Sequence, residues 1–144
     1  MKILLADDGS PSALAAVRHA LNLVRDGLQA SFVLANVQAP PSLYEIVSAR
    51  DAESIERATD EAASDLLAPA EALLDEAGVA YEAIVANGEP GNVLVDLCER
   101  HGCDAIVLGA HGEGGLRDVL FGSVAEAVLD ASPVPVTVVR SRPA

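Results

Sequence analysis

Short segments rich in valine, isoleucine and leucine alternate in this sequence with longer stretches whose apolar residues recur at helical spacing. This alternation favours a parallel sheet whose connecting helices cover both faces. The sequence therefore predicts a doubly wound α/β fold with a five-stranded parallel sheet, its strands at residues 2–6, 31–37, 79–86, 104–108 and 134–139.

Length, composition and charge restrict the class of protein. The 144 residues, of which 51% are hydrophobic, suit one domain with a single sizeable core. Charges interrupt every strongly apolar run, so we expect no membrane insertion. The amino terminus has only about five apolar residues before Asp7, fewer than a secretory leader needs, which predicts a cytoplasmic protein. A net charge of -13 repels nucleic acid, which we exclude as a partner.

Capping and turn residues delimit the expected helices. Ser10 followed by Pro11 predicts a helix that ends at Gly27. Residues 44–77 are rich in alanine, glutamate and leucine and read as helical, and Pro69 should kink or divide this helix. We expect an irregular portion around residues 43–52 and two further helices that end near Arg100 and Ala131. Pro133 and Pro135 lie at the entry to the fifth strand, and prolines there favour an edge position for this strand.

The two cysteines do not form a recognised motif. Cys98 and Cys103 are too few for a disulfide framework, and their spacing is neither C-x-x-C nor that of a zinc finger. His101 lies between them, so a metal cluster stays open beside the interpretation as two reduced thiols.

Two loops carry the residues best suited to bind a ligand. One follows the first strand and contains Asp7 and Asp8, and the other follows the fourth strand and runs from Gly109 to Ser123. Ligands of open parallel sheets bind beyond the carboxyl ends of the strands, where strand order reverses, so the loops meet there if strands one and four are neighbours. Glycines and a helix amino terminus together predict a phosphate cradle, in which Ser123 either caps the helix or contacts a phosphate.

The spacing of this second loop is specific. Gly109 and Gly112 are followed, after nine residues, by Gly122 and Ser123. This G-x2-G-x9-G-[ST] pattern resembles the nucleotide-binding signature of the ATP-binding branch of the universal stress protein family. The ADDGS opening, the GEPG turn and the PVTVVR ending resemble the family too. The resemblance implies one such domain over residues 1–144, strand order 3-2-1-4-5 and a homodimer through the strand at residues 134–139.

The resemblance also implies a set of nucleotide contacts. Asp8 matches the aspartate on the ribose or adenine side, although it can also hold its own turn. Asn36 stands where many members have histidine, which leaves the wall beside the base in question. Arg117, the cation within the loop, suits either a phosphate contact or a solvated position. The full predicted set is Ala6, Asp7, Asp8, Val37, Leu108, Gly109, His111, Gly112, Arg117, Gly122, Ser123, Val124 and Ala125.

The function implied by the resemblance is regulation in a stress response. Occupancy by ATP, ADP or AMP, with magnesium held through the phosphates, would control the conformation or an unknown regulatory protein partner. No pairing of a nucleophile with a base is evident in the sequence, so any ATP hydrolysis should be slow. Two alternatives are a slow ATP hydrolase or adenylyl-transferring enzyme of related architecture and a nucleotide-independent interaction module. The first lacks its serine-glycine-glycine loop, and the intact glycines argue against the second.

Overall fold

A computed structural model describes residues 1–39, 52–111 and 122–141, and for residues 52–60 it describes the backbone alone. Within these ranges strands and helices alternate along the chain. The elements are β1 (Lys2–Ala6), α1 (Pro11–Arg25), β2 (Ser31–Gln38), α2 (Ala52–Ala77), β3 (Tyr81–Asn87), α3 (Pro90–Arg100), β4 (Ala105–Gly109), α4 (Ser123–Ala131) and β5 (Val136–Val139).

The five strands form one parallel sheet in the order β3-β2-β1-β4-β5. This confirms the predicted fold class and strand order, including the edge position of β5. The central strand β1 pairs Ala6 with Ala35 of β2 and Leu5 with Val107 of β4. Strand order therefore reverses between β1 and β4, and the loops after these two strands lie side by side.

Alternate residues of the central strands build two hydrophobic layers. Ile3 and Leu5 pack with α1 and α2 on one face of the sheet, whereas Leu4 packs with α3 and α4 on the other. All three side chains are at most 2% exposed. Burial on both faces is why β1 reads as a continuous apolar run in the sequence.

Most predicted helix boundaries agree with the structure. Ser10 caps α1, since its Oγ accepts a hydrogen bond from the Ala13 N–H at 3.1 Å. The helix α2 ends before Gly78, whose φ of +70° is the left-handed conformation that glycine adopts readily. Of the two expected effects of Pro69, division of the helix does not occur, because Pro69 lies inside the continuous helix α2. Of the expected irregular portion, only Ala52 is described, and it begins α2.

Cys98 and Cys103 are both buried free thiols. The Cys98 Sγ donates to the backbone carbonyl of Cys103 at 3.7 Å, and burial raises the pKa of the Cys103 thiol to about 11. His101 turns its Nδ1 toward Glu82 Oε2, 3.9 Å away. The thiols therefore belong to the hydrophobic layer around α3. None of the helices within the described ranges is long and apolar enough to span a membrane.

Candidate functional site

A cavity of about 420 Å³ opens at the carboxyl edge of the sheet, between the ends of β1, β2 and β4 and the amino termini of α3 and α4. This is the place where open α/β sheets bind ligands, and the volume lies in the usual range of roughly 300 to 1,000 Å³ for ligand pockets. The walls are largely apolar, with Val37 of β2, Leu94 of α3 and Leu108 of β4 among them.

The structure brings the predicted contact residues together at this cavity. Gly112 and Arg117 lie outside the described residues. The others all line the cavity: Ala6, Asp7, Asp8, Val37, Leu108, Gly109, His111, Gly122, Ser123, Val124 and Ala125.

Several lining residues were not predicted from the sequence. A helix that follows a parallel strand begins at the carboxyl edge, and this rule could have found Pro90 at the start of α3. The small apolar residues of the wall carry no such signal, because they look like ordinary core residues. The missed set is Ser10, Ala13, Ala35, Ala39, Pro90, Leu94 and Ala110.

The amino terminus of α4 borders the cavity without a side-chain cap. Gly122 is the N-cap residue, so Ser123 is the first helical residue and does not cap the helix. The Glu126 N–H donates to the Gly122 carbonyl at 3.0 Å, which leaves the N–H groups of Ser123, Val124 and Ala125 without partners inside the helix. The positive end of the helix dipole and these N–H groups make the α4 terminus suited to an anion.

The loop after β1 places two carboxylates differently. Asp8 is exposed, and its Oδ1 accepts a hydrogen bond from the Ser10 N–H at 2.9 Å, as expected of a turn-holding aspartate. Asp7 is 2% exposed, and its Oδ1 accepts from the Gly9 N–H at 2.9 Å. Burial raises the pKa of Asp7, the Gly9 hydrogen bond lowers it, and the nearby Asp8 charge raises it further. Gly9 has a φ of +83°, so this tight turn favours glycine.

Asn36 does not belong to the cavity wall. Neighbouring residues of β2 face opposite sides of the sheet. Asn36 is on the same side as Leu34, which packs with α1 and α2, whereas Val37 is on the side that packs with α3 and α4. Its side chain is buried and donates from Nδ2 to the backbone carbonyl of Asp7 at 2.8 Å. Asn36 therefore supports the Asp7 turn, and the cavity wall, which the sequence left in question at this position, is formed by other residues.

The loop after β4 is held close to α1. The His111 N–H donates to Ser12 Oγ at 3.4 Å. The His111 Nδ1 is buried and has no hydrogen-bond partner among the residues that the structure describes. A Cβ placed on Gly109 would come within 2.7 Å of the Ser12 carbonyl carbon and oxygen. The absence of a side chain at Gly109 is therefore required by the packing of α1 against β4.

Comparison with known proteins shows the family of this chain. Residues 1–140 match the universal stress protein family. The chain belongs to that family. A universal stress protein from Methanocaldococcus jannaschii, MJ0531, is 30% identical over 139 residues, which cover 96% of this chain and 81% of the relative.

Solved structures of similar proteins share this universal stress protein fold. The structure of MJ0577, also from M. jannaschii, has a TM-score of 0.84 at 28% identity and covers 99% of this chain and 97% of its own. A universal stress protein in complex with cAMP has a TM-score of 0.71 at 23% identity and covers 99% of this chain and 98% of its own. The structure of At3g01520 of Arabidopsis thaliana with AMP bound has a TM-score of 0.72 at 19% identity. It covers 99% of this chain and 92% of its own. At 23% and 19% identity, the last two structures show only that the fold is shared.

Proposed function

We propose that this universal stress protein, as one domain over the whole chain, binds an adenine nucleotide in the cavity and acts as a cytoplasmic regulator in a stress response. Nucleotide occupancy would control its conformation or its choice of a protein partner. One observation carries the proposal: the uncapped amino terminus of α4 opens onto a cavity whose other walls are largely apolar. Such a cavity offers one end for phosphate and another for a planar base.

The lining residues divide into three roles under this proposal. The N–H groups of Ser123, Val124 and Ala125 would bind the phosphates. The apolar side chains of Val37 and Leu108 would contact the base, and the exposed Asp8 would accept hydrogen bonds from the nucleoside. The buried His111 Nδ1, which has no hydrogen-bond partner among the described residues, would be a further polar contact of the ligand.

The charge of the chain bears on how the phosphates would be held. Among the described lining residues there are carboxylates, Asp7 and Asp8, but no lysine or arginine. With a net charge of -13, the protein repels a free polyphosphate over long range. Magnesium carried by the phosphates would reduce this repulsion, so we propose that ATP or ADP binds as its magnesium complex.

The class of nucleotide is supported by two structures of this fold. One holds cAMP and the other holds AMP. Both ligands contain adenosine and a single phosphate, which are the parts that the apolar walls and the α4 terminus suit.

Mass spectrometry of the small molecules released from freshly purified protein tests the proposal. We expect an adenine nucleotide at close to one equivalent per chain. Calorimetric titration of the emptied protein with ATP, ADP, AMP and cAMP then ranks the ligands, with GTP as the matched control. If no adenine nucleotide is released and none binds on titration, the proposed function is wrong.

We also propose a homodimer that forms through β5. The carbonyls of Pro135 and Val139 accept hydrogen bonds from β4 and from the residue that follows it. The backbone groups of Val136 and Val138 therefore face the open edge of the sheet. In a two-fold pair, arginine introduced at the exposed Thr137 would lie near its copy and repel it. We expect Thr137→Arg to convert the dimer to a monomer in sedimentation equilibrium. Ala83→Arg, on the opposite edge strand β3, is the control and should leave the dimer intact. A monomeric parent protein, or dimers in both variants, would contradict this assembly.

A further inference from the structure

Two buried side chains next to the cavity each leave one oxygen without a donor. Asp7 Oδ2 and Asn36 Oδ1 have no hydrogen-bond partner among the described residues. Both residues are 2% exposed, so bulk water does not supply the missing donors. The two residues are in direct contact, because Asn36 Nδ2 donates to the Asp7 backbone carbonyl at 2.8 Å. They also continue the register that pairs Ala6 with Ala35 on adjacent strands.

A proton shared between Asp7 Oδ2 and Asn36 Oδ1 would give each of these oxygens a hydrogen-bond partner. An ionised carboxylate only accepts hydrogen bonds, whereas a protonated one also donates through its O–H. A buried polar group without a hydrogen-bond partner destabilises the folded state, and a buried charge without a partner destabilises it more. We propose that Asp7 is a neutral acid in the folded protein, that its Oδ2 proton is donated to Asn36 Oδ1, and that this pair positions the turn that carries Asp8. The positioning role rests on the nucleotide-binding function proposed above.

The surroundings of Asp7 agree with a neutral carboxyl. Its own turn brings the negative charge of Asp8, which together with burial raises the pKa of Asp7, while the Gly9 hydrogen bond lowers it. Strand β2 contributes the uncharged Asn36, and the amino-terminal end of α1 contributes the buried, uncharged Ser10 and Ser12. From α2, Leu66 packs against Gly9 with the exposed Asp65 beside it, and the loop after β4 brings His111 to the same cavity. No lysine or arginine lines this cavity in the described part of the chain.

Hydrogen bonds connect this pair to the candidate binding residues. Asn36 holds the Asp7 carbonyl, Asp7 Oδ1 holds the Gly9 N–H, and Asp8 Oδ1 holds the Ser10 N–H. Loss of the Asp7 proton would place a negative oxygen beside the Asn36 carbonyl oxygen, with no donor between them. Repulsion would then shift the turn and with it Asp8. Nucleoside affinity should therefore fall as pH rises through the pKa of folded Asp7.

Asp7→Asn is the informative variant, since its amide can donate to Asn36 Oδ1 while its oxygen still accepts from Gly9. It mimics the neutral acid at every pH. A raised pKa contributes stability below the unfolded pKa, ordinarily near 3.8, and this contribution is lost as pH rises to the folded pKa. We expect the unfolding free energy of the parent, minus that of Asp7→Asn, to fall over this window and then level off. The control Asp26→Asn removes the same charge from an exposed aspartate and measures the effect of the charge loss itself.

Protonation can also be read directly in the unmodified protein. The side-chain carboxyl ¹³C resonance that disappears in Asp7→Asn should titrate at higher pH than the resonances of exposed aspartates. Titration at or below their pH, or an Asp7→Asn variant that is less stable than the parent at every pH, would overturn the neutral pair.

Adenosine separates the positioning role from the nucleotide-binding proposal, because it has no phosphate that titrates. We expect the Kd of the parent for adenosine to rise roughly tenfold across the Asp7 titration and that of Asp7→Asn to stay constant. A constant Kd in the parent while the Asp7 resonance titrates would overturn the positioning role. If neither adenosine nor ATP binds at any pH, the proposed function fails, whereas the carboxyl titration still decides the protonation of Asp7.

Discussion

Replacing Gly122 by valine is expected to weaken ATP binding at least about a hundredfold, which corresponds to about 2.7 kcal/mol. Gly122 lines the cavity directly before the free N–H groups of α4, so a branched side chain would occupy the space of a phosphate. Its φ of -71° and ψ of 167° are open to valine, so the backbone itself is not strained. Calorimetric titration measures the affinity, after circular dichroism has shown that the variant is folded.

Matched variants identify which part of the ligand is affected. Gly122→Val should weaken ATP far more than adenosine, whereas Asp8→Ala should weaken both equally, because the proposed contact of Asp8 is to the nucleoside. Ser123→Ala should cost on the order of 1 kcal/mol in ATP binding and little in stability, since Ser123 does not cap α4. A valine at the cap position carries its own stability cost of about 1 kcal/mol, which urea unfolding measures separately. ATP affinity equal to that of the parent in Gly122→Val would mean that the glycine serves only the turn.

The order of elements was predictable because buried parallel strands read as short apolar runs between helical patterns. The residues at which the strands begin were less predictable. The apolar residues Val79 and Val134 read as strand residues, yet β3 begins at Tyr81 and β5 at Val136. Both valines pack on the hydrophobic layers from the segments that enter the strands. Apolarity therefore reports their burial and not the point at which the ladder of hydrogen bonds begins.

The loops of the candidate site were predictable, and its walls were only partly so. Glycine spacing and the position of acidic residues after a strand mark the loops around Asp8 and Gly122. Ala35 and Leu94 are 1% and 3% exposed, and nothing in their sequence context separates a cavity wall from a packed core. The side of the sheet on which Asn36 lies could have been predicted, because neighbouring residues of a strand face opposite ways and Val37 was already assigned to the cavity.

Gly109 is the residue for which sequence and structure suggest different reasons for a glycine. The signature implies a role in the ribose and phosphate loop, and Gly109 does line the cavity. However, a Cβ there would come within 2.7 Å of backbone atoms of Ser12, in the first turn of α1. Backbone atoms cannot rotate away as a side-chain end can, so α1 as a whole would have to move.

We expect Gly109→Ala to lower the free energy of unfolding by about 3 kcal/mol in the absence of nucleotide, at the upper end of the usual cost of overpacking. The shift of α1 would strain the Ser10 cap and the bond between the His111 N–H and Ser12 Oγ. Urea unfolding of the nucleotide-free protein gives the value, and Gly122→Val, whose main loss should be in ATP affinity, is the control. The two glycines should thus separate, with stability lost at Gly109 and binding lost at Gly122. A Gly109→Ala variant that unfolds at the same urea concentration as the parent but no longer binds ATP would assign this glycine to the ligand instead.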